Sequence, residues 1–268
     1  MKKEKVEKGF HVPITFENQQ QDINQLMNKV DRKKSKATKL YIRARAFFIQ
    51  KLYKDAIKTF LESLMLDRNN VSVYIDLAVA YREIKNFSKA IETLEKAQEI
   101  DSQNPIIYME KGITYSCMEE HDVALANIRQ AITLDKSNPE IHLQLAMAHQ
   151  ECGENDLAFL IYDAVIEKNP SFIRAHHAKA SLFMDLNMFQ EAASIFQEIL
   201  KLNPSFYRAI LGIAVCMDQK KEYGLALRYY RKFMERRPHS SHIPDVRIRI
   251  EEIKKQLNSR LTTSPILC

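Results

Sequence analysis

Two adjacent histidines, His176 and His177, are the residues whose types most directly suggest chemistry. Imidazole titrates near neutral pH and is a common metal ligand, so such a pair could serve acid–base catalysis or metal binding. The phrase that contains them, NPSFIRAHHAKA, recurs 34 residues later as NPSFYRAILGIA, with Ile210 and Leu211 in place of the histidines. This replacement favours a repeated structural segment over a catalytic pair.

The remaining candidates for chemistry lack partners in the sequence. His142 and His149 stand where ring residues pack in neighbouring segments, and no carboxylate shares their register. The cysteines are far apart and form no CxxC pair, which argues against structural zinc and against a disulfide framework: Cys117, Cys152, Cys216 and Cys268. No HExxH, nucleophile-elbow or phosphate-loop motif occurs. We therefore predict no catalytic residue, no metal and no cofactor, and do not expect an enzyme.

The elements that position these residues follow a period of 34 residues. Alanine recurs at that interval at Ala56, Ala90, Ala124, Ala158, Ala192 and Ala226. Twelve residues before each of these stands another small residue, in the series Ala44, Ala78, Gly112, Ala146, Ala180 and Ala214. Bulky residues follow three or four positions later, so that small and large side chains share one helix face. Each period therefore predicts two antiparallel helices that cross closely at the small residues.

Capping and turn-forming residues mark the boundaries of these helix pairs. Pro105 and Pro139 suit the first turn of a first helix, where the missing N–H of proline costs nothing. Ser88 and Asp122 are predicted to cap second helices through their side-chain oxygens. An amphipathic segment at 243–257 predicts a final helix that covers the last apolar face. The whole pattern predicts an all-α chain.

The order of small, aromatic and proline residues within each period resembles the tetratricopeptide repeat, and the register holds over 204 residues. With Ala37 as position 1, the resemblance implies six repeats, at 37–70, 71–104, 105–138, 139–172, 173–206 and 207–240. It implies a right-handed α-solenoid with an extended concave surface. Residues 1–36 are predicted to form a basic extension with a short amphipathic helix, and residues 241–268 the C-terminal capping helix and a disordered tail.

The positive charge of the chain is concentrated in its two terminal segments. Residues 1–36 have a net charge of +4 and residues 241–268 of +2, whereas the repeats between them are neutral. The neutral repeats lack the excess of positive charge with which strong nucleic-acid binders contact phosphates, so nucleic acid is not the expected partner. The sequence shows neither a signal peptide nor a run of 18 apolar residues, which predicts a cytoplasmic protein without a membrane span.

The resemblance also implies which residues face a partner, because particular positions of the first helix line the concave groove in this family. The predicted groove residues are Tyr41, Arg45, Ile75, Asp76, Val79, Arg82, Met109, Glu110, Ile113, Leu143, Gln144, Met147, His177, Leu211 and Val215. The set combines an apolar track with an acidic edge supplied by residues such as Asp76 and Glu110. His177 belongs to it, whereas His176 falls at a packing position.

We expect a non-enzymatic interaction scaffold or adaptor that binds, in this groove, an apolar peptide or helix of a partner protein with basic flanks. The lysine and asparagine residues with which related cochaperones hold the acidic C-terminus of heat-shock chaperones are absent from the corresponding positions. Two alternatives stay open, an RNA-binding helical-repeat protein and a regulatory subunit of a larger enzyme complex. A further hypothesis is that the N-terminal segment, with its apolar residues 9–16 and the lysine- and arginine-rich stretch 31–36, docks in the groove and competes with a partner.

Overall fold

The computed structural model describes residues 35–263, with side chains to residue 258. These residues form thirteen α-helices and no β-strand, which confirms the all-α prediction. The chain divides into two compact units, Met1–Cys152 and Gly153–Cys268. The predicted amphipathic helix of the N-terminal extension and the apolar segment 9–16 lie outside the described residues.

The first unit contains the helices α1 (Lys36–Ile49), α2 (Tyr53–Leu66), α3 (Val71–Glu83), α4 (Phe87–Ile100), α5 (Pro105–Ser116), α6 (His121–Leu134) and α7 (Pro139–Glu151). Each helix packs against the next one in the chain. The first helix of each pair also contacts the first helix of the next pair, α1 with α3, α3 with α5 and α5 with α7. These two kinds of contact are those of helix pairs stacked as repeats.

The second unit contains the helices α8 (Asn155–Lys168), α9 (Ile173–Asp185), α10 (Phe189–Leu202), α11 (Tyr207–Gln219), α12 (Tyr223–Arg236) and α13 (Ile243–Thr263). Here too each helix packs against the next. The final helix, α13, places Val246, Ile250 and Ile253 in the hydrophobic core of this unit, as the capping-helix prediction requires. It continues to Thr263, so the prediction of a disordered tail after residue 257 is wrong for residues 258–263. The two helices of the predicted repeat 139–172, α7 and α8, belong to different units.

The small residues of the 34-residue pattern lie where helices approach each other most closely. The six alanines from Ala56 to Ala226 are completely buried, and the companion series is buried as well. A Cβ atom at Gly112 would lie 2.5 Å from Cγ1 of Ile128 and 3.0 Å from the backbone oxygen of Ala124. Helices α5 and α6 are therefore too close for even one methyl group at this point. This confirms that the small residues mark helix crossings.

The turn after each first helix contains a residue with a left-handed backbone conformation. These residues recur every 34 positions, with φ between 59° and 77°: Lys51, Lys85, Glu119, Gly153, Asn187 and Lys221. In the second pair the N–H of Asn86 donates to the oxygen of Tyr81, and the N–H of Lys85 donates to that of Arg82, which is the Schellman arrangement. Since a left-handed φ costs a residue with a side chain about 1–2 kcal/mol, hydrogen bonds rather than glycine fix most of these turns.

The first helices of the first unit begin with hydrogen-bonded caps. The side chains of three asparagines, again 34 residues apart, accept backbone N–H groups at these starts: Asn70, Asn104 and Asn138. Asn104 Oδ1, for example, lies 3.1 Å from the nitrogen of Ile106. Pro105 and Pro139 occupy the first turn of α5 and α7, as predicted.

The predicted caps of the second helices are wrong. Asn86 caps α4, with its Oδ1 3.3 Å from the nitrogen of Lys89, and Ser88 already lies inside the helix. Helix α6 begins at His121 without a side-chain cap, so Asp122 also lies within the first turn. A carboxylate at that place can still interact favourably with the positive end of the helix dipole.

Candidate functional site

The ring residues at the fourth position of successive repeats make one recurring hydrogen bond. The atoms joined are Tyr108 Oη and Ser102 O at 3.0 Å, His142 Nε2 and Lys136 O at 2.9 Å, and His176 Nε2 and Pro170 O at 2.9 Å. In each case the carbonyl belongs to the loop residue six positions earlier. The hydrogen bond therefore connects the ring to the loop that precedes its own helix. His176 is thus a buried packing residue with one nitrogen satisfied, as its position in the repeat predicted.

His177 has a different environment from its neighbour. It is half-buried, and its ring makes edge-on contacts with Phe196 and Phe206, each at 5.8 Å between centroids. Burial, with a smaller contribution from the positive charge of Arg208, lowers the pKa of His177 to about 4. The imidazole is therefore neutral at physiological pH and packs as an aromatic ring. That it also contacts a partner remains a prediction.

Three of the predicted groove residues in the first unit are core residues. Ile75, Met109 and Leu143 expose only 2%, 2% and 1% of their surface. Ile75 and Met109 belong to hydrophobic clusters that join neighbouring helices. The prediction of a continuous exposed apolar track is therefore corrected at these three positions, because the side chains pack inside the stack of helices.

Tyr41, Arg45 and Asp76 form a polar cluster between α1 and α3. The Tyr41 hydroxyl donates to Asp76 Oδ2 at 2.8 Å, and Arg45 Nε lies 3.3 Å from the same oxygen. Burial, reinforced by the adjacent carboxylate, raises the pKa of Tyr41, so its hydroxyl remains a hydrogen-bond donor. Asp76 is 2% exposed. Its charge is compensated inside the protein and does not form part of an acidic edge offered to a partner.

A second polar cluster joins α3 and α5. Arg82 Nη1 donates to Glu110 Oε2 at 2.7 Å and to Thr114 Oγ1 at 3.3 Å. The arginine and glutamate side chains are 13% and 10% exposed. On α7, Gln144 Nε2 donates to Glu140 Oε1 at 3.0 Å. Arg82, Glu110 and Gln144 were predicted as partner contacts, and the structure shows that each has a hydrogen-bonding partner within the first unit.

Other predicted groove residues of the first unit do reach the surface. Val79 and Ile113 are partly exposed and Met147 is 37% exposed, at equivalent positions of α3, α5 and α7. About one turn further along α3 and α7, Glu83 and Glu151 are exposed carboxylates. We call these five residues the first-helix face.

Cys117 lies just past the end of α5, at the position that corresponds to Glu83 and Glu151. Partial burial raises the pKa of this thiol; Arg82 lowers it, whereas Glu151 and Glu83 raise it further. Both glutamates act on this thiol because α5 contacts α3 on one side and α7 on the other. A thiol with a raised pKa is a poor nucleophile, so Cys117 has no catalytic activation.

In the second unit, Leu211 and Val215 are half-buried and pack against the hydrophobic core. The next turn of α11 carries Asp218, which is 6% exposed. Arg249 of α13 binds this carboxylate with Nε at 2.7 Å and Nη2 at 2.8 Å, and the Tyr230 hydroxyl donates to it at 3.0 Å. The sequence analysis did not predict this role of Arg249. Its bidentate ion pair with Asp218 links the final helix to α11.

The first unit also has a depression of about 530 Å³ between α2, α3 and α4. Its lining contains no predicted groove residue and consists of Leu61, Leu64, Met65, Arg68, Tyr74, Leu77, Tyr81, Lys89, Glu92, Thr93 and Lys96. Across residues 35–263, His, Cys, Asp and Glu side chains form no group of three that could hold a metal ion. Of the thirteen described helices, none combines the length and the apolar character needed to span a membrane.

Stacked helix pairs with small residues at every crossing define the class of helical-repeat proteins. Within that class, family models described as tetratricopeptide repeat match residues 47–109 and 177–241. Both units therefore contain tetratricopeptide repeats, as the 34-residue pattern suggested. No curated protein sequence matches it.

Solved structures show the same fold at low sequence identity. TTC0263, a thermophilic tetratricopeptide repeat protein of Thermus thermophilus, has a TM-score of 0.62 and 15% identity, over 68% of this chain and 98% of that one. PilW, a widely conserved type IV pilus biogenesis factor, has a TM-score of 0.62 and 16% identity, over 80% and 99%. A chain of the APC/C hetero-tetramer Cut9–Hcn1 has a TM-score of 0.61 and 16% identity, over 88% of this chain but only 47% of that longer one. These similarities establish the fold alone.

Proposed function

We propose that this protein is a non-enzymatic scaffold or adaptor that binds an apolar segment of a partner protein across the first-helix face. The supporting observation is that Val79, Ile113 and Met147 present partly exposed apolar side chains at equivalent positions of three neighbouring helices. A peptide or helix whose apolar residues recur at a fixed spacing can contact such a row one side chain at a time. The flexible side chain of Met147 can adapt to the shape of the partner.

The charges of the same face favour basic residues beside the apolar segment. Glu83 and Glu151 are exposed, whereas Asp76 and Glu110 are already neutralised by arginines. Lysine or arginine flanks of a partner would therefore meet Glu83 and Glu151. The acidic C-terminus of a heat-shock chaperone would be repelled by them. Because these contacts are exposed, salt should weaken the charged part of the binding.

Further parts of the proposal concern regions beyond this face. Candidate contacts within the second unit are the half-buried residues His177, Leu211 and Val215. A cytoplasmic location fits the free thiols at Cys117 and Cys216. Occupation of the groove by segment 9–16 remains a hypothesis. It predicts that deletion of residues 1–17 strengthens the binding of a partner peptide.

The proposal is tested by selecting peptides from a displayed random library on the full-length protein and titrating the best binders by fluorescence anisotropy. We expect apolar sequences flanked by Lys or Arg. The variants Met147→Glu and Glu83→Lys/Glu151→Lys change only exposed positions and should each weaken binding about tenfold. Met65→Glu is the matched control, because Met65 is 77% exposed on α2 and lies outside the face.

The outcome that would refute the proposal is equal weakening by Met65→Glu and Met147→Glu, or selection of peptides without apolar residues. Far-ultraviolet circular dichroism of each variant verifies that the helices are intact. If the protein instead shifted RNA in a gel, with a strong dependence on salt, the RNA-binding alternative would replace it.

A further inference from the structure

The exposed side of α12 carries a concentration of positive charge that no other second helix of a pair shares. This helix has four basic residues and one acidic residue, a net charge of +3, whereas α2, α4, α6, α8 and α10 have net charges between 0 and −2. The four basic side chains are exposed, and we call them the basic patch: Arg228, Arg231, Lys232 and Arg236. Among the described residues the ion pairs of this unit engage other side chains, such as Arg249 and Lys179.

The spacing of the basic patch places all four cations on one face of α12. Residues four apart lie about 6 Å apart along a helix axis, so Arg228 and Arg236 are separated by about 12 Å along the helix. Together with Gly224, Tyr229 and Glu235, the patch lines an open depression of about 540 Å³. The depression gives a bound chain a defined place to lie.

The fold does not require these cations. The opposite side of α12 keeps the packing residues of the repeat, with Ala226, Tyr230 and Phe233 buried. The residues that precede the patch by 34 positions, on α10, carry no positive charge: Ser194, Gln197, Glu198 and Leu202. The equivalent helix α10 therefore forms without a basic face. The positive charge of α12 is not needed for folding and is available to bind a partner.

We propose that the basic patch docks an acidic segment of a partner protein. Carboxylates about 6 Å apart match the patch, a spacing given by every fourth residue of a helix or every second residue of an extended chain. The guanidinium groups of Arg228, Arg231 and Arg236 can each bind a carboxylate through two parallel hydrogen bonds. This inference goes beyond the function proposed above, since it concerns another unit and the opposite charge, and each can fail without the other.

Two observations favour an acidic peptide over the backbone of a nucleic acid. Glu235 lies among the cations of the depression. A nucleic-acid backbone carries a phosphate at every step and would bring one near this carboxylate, whereas an acidic peptide can place an uncharged residue opposite it. The ring of Tyr229 faces Lys232, whose Nζ is 5.9 Å from the ring centroid, so this face of the ring is not presented to a base.

The experiment measures binding of a fluorescein-labelled oligoglutamate peptide, and of an oligothymidine of the same length, to the full-length protein at two salt concentrations. The test variant is Arg228→Glu/Lys232→Glu. The matched control is Lys54→Glu/Lys58→Glu, which changes charge by the same amount at the same spacing, on exposed residues of α2. Circular dichroism establishes that both variants keep their helices.

We expect the test variant to bind oligoglutamate about tenfold more weakly, and the control variant to differ from the unmodified protein by less than about twofold. Equal weakening in both variants would overturn the proposal, because net charge alone would then account for binding. Absence of binding to the unmodified protein would overturn it as well. So would tighter binding of oligothymidine than of oligoglutamate, which would assign the patch to single-stranded nucleic acid.

Discussion

The two units start their first helices with different chemistry on the same repeated backbone. In the first unit, the asparagines at 70, 104 and 138 cap α3, α5 and α7 through their side chains. In the second unit, Phe172 and Phe206 stand before α9 and α11, and neither makes a side-chain cap. Phe206 is instead buried in the core and contacts His177. A helix start can thus be fixed either by a hydrogen bond or by apolar packing.

The sixth position of the repeat shows the same division. In the first unit it holds Ile42, Asp76, Glu110 and Gln144, and each of the two carboxylates is paired with an arginine of another helix. In the second unit it holds Ala178 and Gly212. Directional polar contacts make a structure sensitive to the loss of a charge, whereas close apolar packing makes it sensitive to added volume. At this position, the first unit should therefore respond most to the loss of a charged partner and the second unit to an enlarged side chain.

The largest expected effect comes from breaking a polar cluster of the first unit. Asp76→Ala leaves Arg45 and the Tyr41 hydroxyl without their shared acceptor in a buried site. We expect the free energy of unfolding to fall by about 3–5 kcal/mol, measured by urea denaturation followed by circular dichroism. The double variant Arg45→Met/Asp76→Leu removes both charges and should lose much less. A loss under about 1 kcal/mol for Asp76→Ala would show that the cluster is not stabilising.

In the second unit, we expect the free energy of unfolding to depend on pH through the protonation of His177. Its pKa of about 4 in the folded protein lies below the ordinary value of 6.5, so the unfolded chain takes up the proton first as the pH falls. The stability contributed by the neutral ring is present above pH 6.5 and is lost towards pH 4, by about 1–3 kcal/mol. His177→Phe should flatten this part of the stability–pH profile, measured as urea midpoints between about pH 4 and 7. An unchanged profile, or an ordinary pKa by NMR titration of the ring, would contradict this.

Added volume tests the apolar packing of the second unit directly. A Cβ at Gly212 would lie 2.5 Å from Cε2 of Phe196, a ring that is itself buried. Gly212→Ala should therefore destabilise the protein by about 1–3 kcal/mol, measured by thermal and urea unfolding. Gly224→Ala on α12 is the control, because nothing lies within 4 Å of its new methyl group. Similar losses in both variants would show that overpacking is not the cause.

The smallest effect is expected at a single cap of the first unit. Asn104→Ala removes the side-chain oxygen that accepts the N–H of Ile106 and should cost about 1 kcal/mol of unfolding free energy. Gln130→Ala, at an exposed position within α6, is the comparison and should be close to neutral. If both changes had the same effect in urea denaturation, the cap would not explain the difference between the units.

The fold was predictable because the signals that determine it are local and periodic. A small residue such as Ala124 is needed wherever two backbones approach closely, so the helix crossings could be read from the spacing alone. The packing role of His176 followed from its place in the same register. Residues 1–34 lie outside the described part of the chain, so the expectations for them stay predictions.

The candidate site was less predictable, because helical periodicity assigns a residue to a face without showing what covers that face. Met109 was expected on an exposed track and lies in the core, since a neighbouring helix packs over it. The polar clusters were missed because each partner was considered alone. A usable signal was present, however: Arg45 precedes Asp76 by 31 residues, and Asp218 precedes Arg249 by the same interval. Opposite charges nearly one repeat apart indicate pairing between stacked helices.

The left-handed turn residues have a consequence for how such a protein can change over evolution. Positions 51, 85, 119, 153, 187 and 221 share one backbone conformation, and all six are exposed. They nevertheless carry lysine, glutamate, glycine and asparagine, because backbone hydrogen bonds rather than the side chain hold the turn. Substitutions there can alter the local surface charge while the spacing of the helices stays fixed. At these six positions, a substitution can therefore add or remove a weak electrostatic contact while the helix packing of the repeat stays the same.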